Sequence, residues 1–201
     1  MLIHRHDDAS DDGPRWRAFV EAQGFGHLVA AGCDREIPVI VPTQFLLDGD
    51  TVRLHLAAKN PIFAAFDENP TVVLSIAGDW AYIPGEWKQI DDEDPRFGIP
   101  TTYYAAVQLT GTVTVADEPA EIAATLTAQV GDLEPDADYV DPIEHGARLR
   151  TIRGVTIEVA EVRAKFKYGG NVDADHRAAV ADRLAERQGP GDAAARAHMD
   201  C

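Results

Sequence analysis

Lysine is scarce in this chain. Among 201 residues only Lys59, Lys88, Lys165 and Lys167 are lysines, and Lys plus Arg total 18 against 34 Asp plus Glu. The formal net charge is −16. Nucleic-acid affinity rests mainly on neutralising phosphates, so direct contact with DNA or RNA is disfavoured. A small anion is a different case. At about 0.15 M salt, screening acts over roughly 8 Å, and a phosphate feels its immediate neighbours more than the global sum. Cysteine is nearly absent as well. Cys33 and Cys201 lie far apart and follow no zinc spacing, so neither a structural disulfide nor a metal site is expected. No apolar run approaches the roughly 18 residues of a membrane-spanning helix. The opening MLIHRHDDASDD lacks the apolar centre of a signal peptide, and the expected location is the cytoplasm. G-x-G-x-x-G and G-x-x-x-x-G-K are both missing, which leaves Rossmann and P-loop sites without support.

What is present is β-pattern with strong punctuation. Asp11-Asp12-Gly13-Pro14 reads as a helix start, with Trp16, Phe19, Val20 and Gln23 on one face and Gly24 as the stop. Six strand segments follow: Phe25 to Ala31, Ile37 to Leu47, Thr51 to Ala57, Thr71 to Ala77 with a continuation over Asp79 to Ile83, Ile99 to Ala116, and Gly154 to Val162. Pro38 and Pro42 mark the second as an edge or bulged strand. Asp48-Gly49-Asp50 is a hairpin signal. Asn60-Pro61 opens a short helix with Asn60 as cap. Glu118 to Val130 reads as helix, begun by Asp117 and Pro119, and Asp173 to Arg187 as an alanine-rich helix capped by Asp173 or Asp175. Gly189-Pro190-Gly191 breaks it before a last short helix at Asp192. Short strands without βαβ alternation predict a mainly β domain with peripheral helices, an antiparallel barrel or sandwich. The expected division is a domain over residues 1–171 and a helical extension over residues 172–201.

Two segments could hold an anion. Lys165-Phe166-Lys167-Tyr168-Gly169-Gly170-Asn171 places two of the four lysines around a phenylalanine and follows them with a tyrosine and two glycines. Cations, aromatic faces and permissive backbone suit a phosphate-bearing aromatic ligand, although a strand end and turn would read the same way. His55-Leu56-Ala57-Ala58-Lys59-Asn60-Pro61 sets a lone lysine before a capped helix start, where free N–H groups attract anions. Asp79 to Lys88 concentrates Trp80 and Trp87, as a pocket wall or as core or interface. Thr101, Thr102, Tyr103 and Tyr104 offer four hydroxyls at a strand start. His27 is expected as a hydrogen-bonded core histidine, and Asp91-Asp92 as a solvated loop. No nucleophile–base arrangement is legible, so any chemistry would come from a cofactor.

Taken in order, FGHLVAAG (Phe25 to Gly32), FLLDGD (Phe45 to Asp50), LHLAAKNPIFAAF (Leu54 to Phe66), DWAYIPGEW (Asp79 to Trp87), GIPTTYYAAVQLTGTVTV (Gly98 to Val115) and IRGVTIEVAEVRAKFKYGGN (Ile152 to Asn171) resemble the PaiB-like branch of the FMN-binding split-barrel superfamily. Members carry the label "FMN-binding negative transcriptional regulator". The resemblance implies a six-stranded antiparallel Greek-key split barrel and a homodimer with FMN sites at the subunit interface. It implies that His55, Ala57, Lys59 and Asn60 lie near the FMN phosphate and ribityl chain. Trp87 and Thr101, Thr102, Tyr103 and Tyr104 would border the flavin, and Lys165, Lys167 and Asn171 would close the pocket. The chain departs from the family pattern at Gly85-Glu86-Trp87-Lys88, where S-x-W-Y is usual, at Thr101-Thr102-Tyr103-Tyr104, where T-W-N-Y is usual, and at Lys167 to Asn171, where K-L-S-Q-N is usual. The implied function is a flavin-dependent oxidoreductase or flavin-binding protein of unknown substrate. The alternatives are a transcriptional regulator with FMN as ligand, and a barrel holding another planar cofactor such as haem or a deazaflavin, or none.

Overall fold

The computed structural model describes residues 1–4, 6–7, 13–89 and 94–199. The expected helix start at Asp11-Asp12, the Asp91-Asp92 loop and Cys201 lie outside the described residues. Seven strands form one sheet: β1 (Phe25–Ala30), β2 (Val39–Gln44), β3 (Leu46–Asp48), β4 (Thr51–Ala57), β5 (Thr71–Ile83), β6 (Thr101–Ala116) and β7 (Ile152–Lys167). The order is β2-β1-β5-β6-β7-β4-β3, so the sheet is open, with β2 and β3 as its ends. Where registers are resolved (β1 with β2 and with β5, β4 with β3 and with β7), the pairing is antiparallel. This is the split-barrel fold class that the resemblance implied, and the antiparallel sheet that the strand pattern predicted. The count is seven rather than six because the segment expected as one strand over Ile37 to Leu47 is divided at Phe45. Both prolines suit an edge strand: Pro38 precedes β2, and Pro42 lies within β2 at the sheet's end, opposite His27 of β1.

The chain divides into two compact units. The first comprises Met1–Trp16, Ala77–Val107 and Arg163–Cys201, and the second Arg17–Ile76 and Gln108–Val162. In the second unit, β4 follows the period-two rule: Val52, Leu54 and Leu56 are buried, and Arg53 and His55 point the other way. Each buried aliphatic side chain of this kind contributes about 1.5–3 kcal/mol relative to exposure. The β3–β4 register pairs Asp48 with Thr51, so Gly49 and Asp50 form a two-residue turn, and Arg17 bonds both the Gly49 carbonyl and the Asp50 carboxylate. Gly111 in β6 permits a close backbone approach, since an added Cβ would sit 2.2 Å from the Glu158 carbonyl oxygen. Helix α1 (Gly13–Gln23) contributes its residues from Arg17 onward to this unit, and α2 (Ile62–Glu68) buries Ile62, Phe63, Ala65 and Phe66. In α3 (Pro119–Leu133), Ile122 and Ala123 pack with Leu149. Asp117 does not cap α3. It pairs with Arg153 instead, and Glu118 takes the cap position.

One local expectation is corrected. β1 is half-buried, with Gly26, Leu28 and Ala30 inward, so His27 is exposed rather than a core histidine. Pro142–Thr151 forms 3-10 turns broken at Gly146, a segment with no periodic signal in the sequence.

In the first unit, Ala81, Ile83, Ala105, Val107, Ala164 and Phe166 are buried from the ends of β5, β6 and β7. Helix α4 (Ala174–Arg187) adds Val180, Ala181 and Leu184, and α5 (Asp192–Ala197) adds Ala195. Asp173 settles the choice of cap, its carboxylate accepting from the His176 N–H at 2.8 Å. Among the described residues no helix is long and apolar enough to cross a membrane.

Candidate functional site

The last turn of β7 breaks strand alternation. Ala164, Lys165 and Phe166 are consecutive and all buried, so the strand is covered on both faces there. Burying Lys165 demands a partner, and the N-terminal segment supplies it. The ammonium lies 3.0 Å from Asp7 Oδ2 and donates to the Leu2 carbonyl at 3.0 Å. The two side chains are 7% and 1% exposed, so this is a buried ion pair. Burial pushes the Asp7 carboxyl upward, but the His4 N–H at 2.8 Å and Lys165 outweigh it and hold the group below the usual carboxylate range. Burial likewise pushes Lys165 down, and Asp7 more than restores it. Lys165 is therefore already neutralised within its own chain.

Lys167 and Lys88 are not. Lys167 Nζ donates to Thr101 Oγ1 at 2.6 Å and sits 6.0 Å from the centre of the Tyr104 ring. Lys88 ends the 3-10 turn Gly85–Lys88, and its ammonium lies 6.0 Å from the centre of the Tyr103 ring. That nitrogen is shut off from solvent and has no hydrogen-bond partner among the described residues. Burial first, and then Lys167, lower its proton affinity. Burial also lowers that of Lys167, with Lys165 adding to it and Asp7 partly opposing it. Tyr103 is 1% exposed, and its hydroxyl too lacks a partner. Burial holds that phenol above its ordinary range, although Arg177 pulls it down.

The hydroxyl of Tyr103 faces Gly169, where an added Cβ would meet it at 2.6 Å. Gly169 has φ +80°, so backbone strain and lack of space both select glycine. Tyr168 packs edge-on to Tyr103 at 6.1 Å, donates to the Asp79 carbonyl at 2.8 Å, and stacks on His198 at 4.6 Å. From α4, His176 presents a buried Nε2 without a partner. Burial, then Lys88, keep its imidazole neutral to lower pH than usual. Trp87 lies beside a cleft of about 530 Å³ shared with Arg183 and Arg187, the latter 4.7 Å over its ring.

The second unit holds the other expected group. His55 and Ala57 are exposed on the outer face of β4, and Lys59 is exposed with no ion pair to a described residue. His55 Nδ1 lies 2.7 Å from Gln129 Oε1 of α3, which fixes the ring. Asn60 Oδ1 accepts from the Ile62 N–H at 3.0 Å, so it does cap α2, although the regular helix begins at Ile62.

The structure thus gathers Thr101, Tyr103, Tyr104, Lys165 and Lys167 in one unit. Thr102 and Asn171 belong to that unit too but are exposed, and Trp87 is half-buried at its cleft. His55, Ala57, Lys59 and Asn60 form a separate group in the other unit. Sequence reasoning missed Asp7, Lys88 and His176. For Lys88 a signal existed, as a scarce lysine at the position where the family pattern has an aromatic. For Asp7 and His176, both in polar stretches, there was none.

Comparisons place these observations. The FAD- and haem-binding protein from Mycobacterium smegmatis has a similar structure, with TM-score 0.62 and 16% identity over 85% of this chain and 78% of that one. The flavocytochrome Anf3 from Azotobacter vinelandii gives 0.61 and 21% over 85% and 74%. At such identities the likeness shows the fold. No curated protein is a significant sequence relative. Residues 1–161 match the family described as "Putative FMN-binding domain", and the chain belongs to that family.

Proposed function

We propose that this FMN-binding split-barrel protein is a flavin-dependent oxidoreductase that works as a homodimer. The observation that carries the reading is the family match over residues 1–161. The residues fit the cofactor. FMN is an aromatic ring system with a dianionic phosphate. The first unit offers the buried ring of Tyr103 and the half-buried ring of Tyr104 beside the Thr101 hydroxyl, which Lys167 holds, and the second unit offers the exposed ammonium of Lys59. Both structural neighbours above carry names that denote flavin proteins. In this reading Trp87, Thr101, Thr102, Tyr103, Tyr104, Lys167 and Asn171 border the isoalloxazine, with Lys165 held by Asp7 among them. His55, Ala57, Lys59 and Asn60 meet the phosphate and ribityl chain, and each group is tested separately.

FMN, when bound, supplies the electron-transfer chemistry that the side chains lack. The chain's own residues orient the ring and exclude water. A dimer is supported by the apolar side chains that the first unit leaves exposed, with Trp80 at 59%, Tyr82 at 52%, Phe97 at 69% and Ile99 at 78%. A cytoplasmic setting belongs to the same reading, supported by the free thiol of Cys33. The regulator alternative draws no specific support. Arg17, Arg35, Arg153 and Arg187 are each paired with a carboxylate, which leaves fewer cations for a DNA backbone.

The test is direct. Purified protein should show flavin absorbance or bind added FMN with quenching of its fluorescence, and should sediment as a dimer. A colourless protein that leaves FMN fluorescence unchanged in titration overturns the reading.

A further inference from the structure

Lys88 is a liability unless something negative comes to it. Its ammonium is buried, without a hydrogen-bond partner among the described residues, and electrostatically coupled to a second ammonium, that of Lys167. No described carboxylate pairs with it, since Asp7 is committed to Lys165 and Asp173 to the start of α4. The Tyr103 hydroxyl, on the ring that Lys88 faces, is a second buried donor without an acceptor. Lys167 spends one N–H on Thr101 and keeps others. Two buried donors, the Lys88 ammonium and the Tyr103 hydroxyl, thus have no hydrogen-bond partner among the described residues, the half-buried Lys167 adds a second positive charge, and the neutral His176 Nε2 is the one uncharged acceptor coupled to Lys88. An unpaired buried charge is tolerated where a ligand completes it. A neutral catalytic base would not need the hydroxyl and the second ammonium beside it.

We propose that Lys88, Lys167 and Tyr103 form an oxyanion subsite for a carboxylate or phosphate group carried by the molecule that reacts with the flavin. The substrate is therefore an anion. This deepens the FMN reading and rests on it for its use, but the subsite itself does not. The same chemistry could come from the phosphate of FMN itself, and the experiment separates the two sources.

Inorganic phosphate is titrated into flavin-loaded protein against potassium chloride of equal ionic strength, reading the melting temperature and the flavin spectrum. Wild type should show a saturable rise in melting temperature. Lys88→Met should lose affinity for phosphate at least about tenfold, and Tyr103→Phe about threefold to fivefold, the range expected for one charged and one neutral donor. FMN and riboflavin should each bind Lys88→Met within about twofold of wild type. An equal phosphate response in wild type and both variants overturns the subsite. So does a loss of FMN affinity in Lys88→Met with riboflavin affinity unchanged, because the cofactor's own phosphate then fills the place. If wild type binds neither flavin, the FMN reading falls alone, and the phosphate titration on flavin-free protein decides the subsite by the same criteria.

Discussion

The two cationic regions solve the same electrostatic problem in opposite ways. At the Asn60-Pro61 corner, Lys59 stays in water, where its charge costs little and constrains little. In the first unit, Lys88 and Lys165 carry their charge out of water. Lys165 has an acidic partner, and among the described residues Lys88 has none. An exposed lysine adjusts to a ligand as it arrives. A buried unpaired one waits in position and destabilises the fold until the ligand comes. The difference teaches that affinity should move without stability at Lys59, whereas at Lys88 the two should move in opposite directions.

The largest expected effect tests the pair. Lys165→Met leaves the Asp7 carboxylate buried and alone, and urea unfolding at neutral pH should show a loss of about 3–5 kcal/mol. Adding Asp7→Asn should restore most of it. A loss below about 1 kcal/mol would mean that the pair is solvated. The sign with pH follows from Asp7, whose folded-state affinity for a proton is lowered. Its stabilisation is complete above the unfolded value of about 3.9 and disappears as pH falls through the lower folded value. The gap between wild type and the double variant should close in the same acid range.

Next, Lys88→Met should stabilise the ligand-free protein by about 1–2 kcal/mol at pH 7. Burial and Lys167 lower the folded-state affinity of Lys88 for its proton, and His176 is the other titratable group coupled to it. The charged form is penalised in the fold, so the gain is largest at neutral pH. It fades as pH rises through the lowered value toward the unfolded one near about 10.4. A less stable variant would show that the ammonium is satisfied and would blunt the contrast between the two regions.

Smaller is the effect of Lys59→Ala, which should weaken FMN about tenfold, or about 1.4 kcal/mol, while stability stays within about 0.5 kcal/mol. Unchanged affinity in fluorescence titration removes Lys59 from the phosphate end. Smallest is Asp117→Asn. Its bond to Arg153 is made at the surface, with Asp117 60% exposed, so the loss should be about 0.5 kcal/mol and should shrink further in high salt.

Much of the fold was legible because strands announce themselves locally. Val52, Leu54 and Leu56 alternate with polar residues, and Gly49-Asp50 and Asn69-Pro70 punctuate, so β4 and its neighbours fall within a residue or two of expectation. β7 ran further than its alternation showed, because Ala164, Lys165 and Phe166 are covered on both faces and carry no period of two. His27 misled for the converse reason. Its apolar neighbours suggested a strand buried on both faces, whereas one face of β1 is exposed. The candidate site was only half legible. Lys167 and Tyr103 stood out by type and position, but the fate of each lysine depended on groups remote in sequence.

Order along the chain determined where strands, turns and caps fall, and how few cations the molecule has to spend. Those are consequences of side-chain periodicity and backbone preference, which act over a few residues. The tertiary fold alone decided that Asp7 neutralises Lys165 while Lys88 is left facing Tyr103. Charge pairing acts over a few ångströms of space in a medium that excludes water, whatever the distance along the chain.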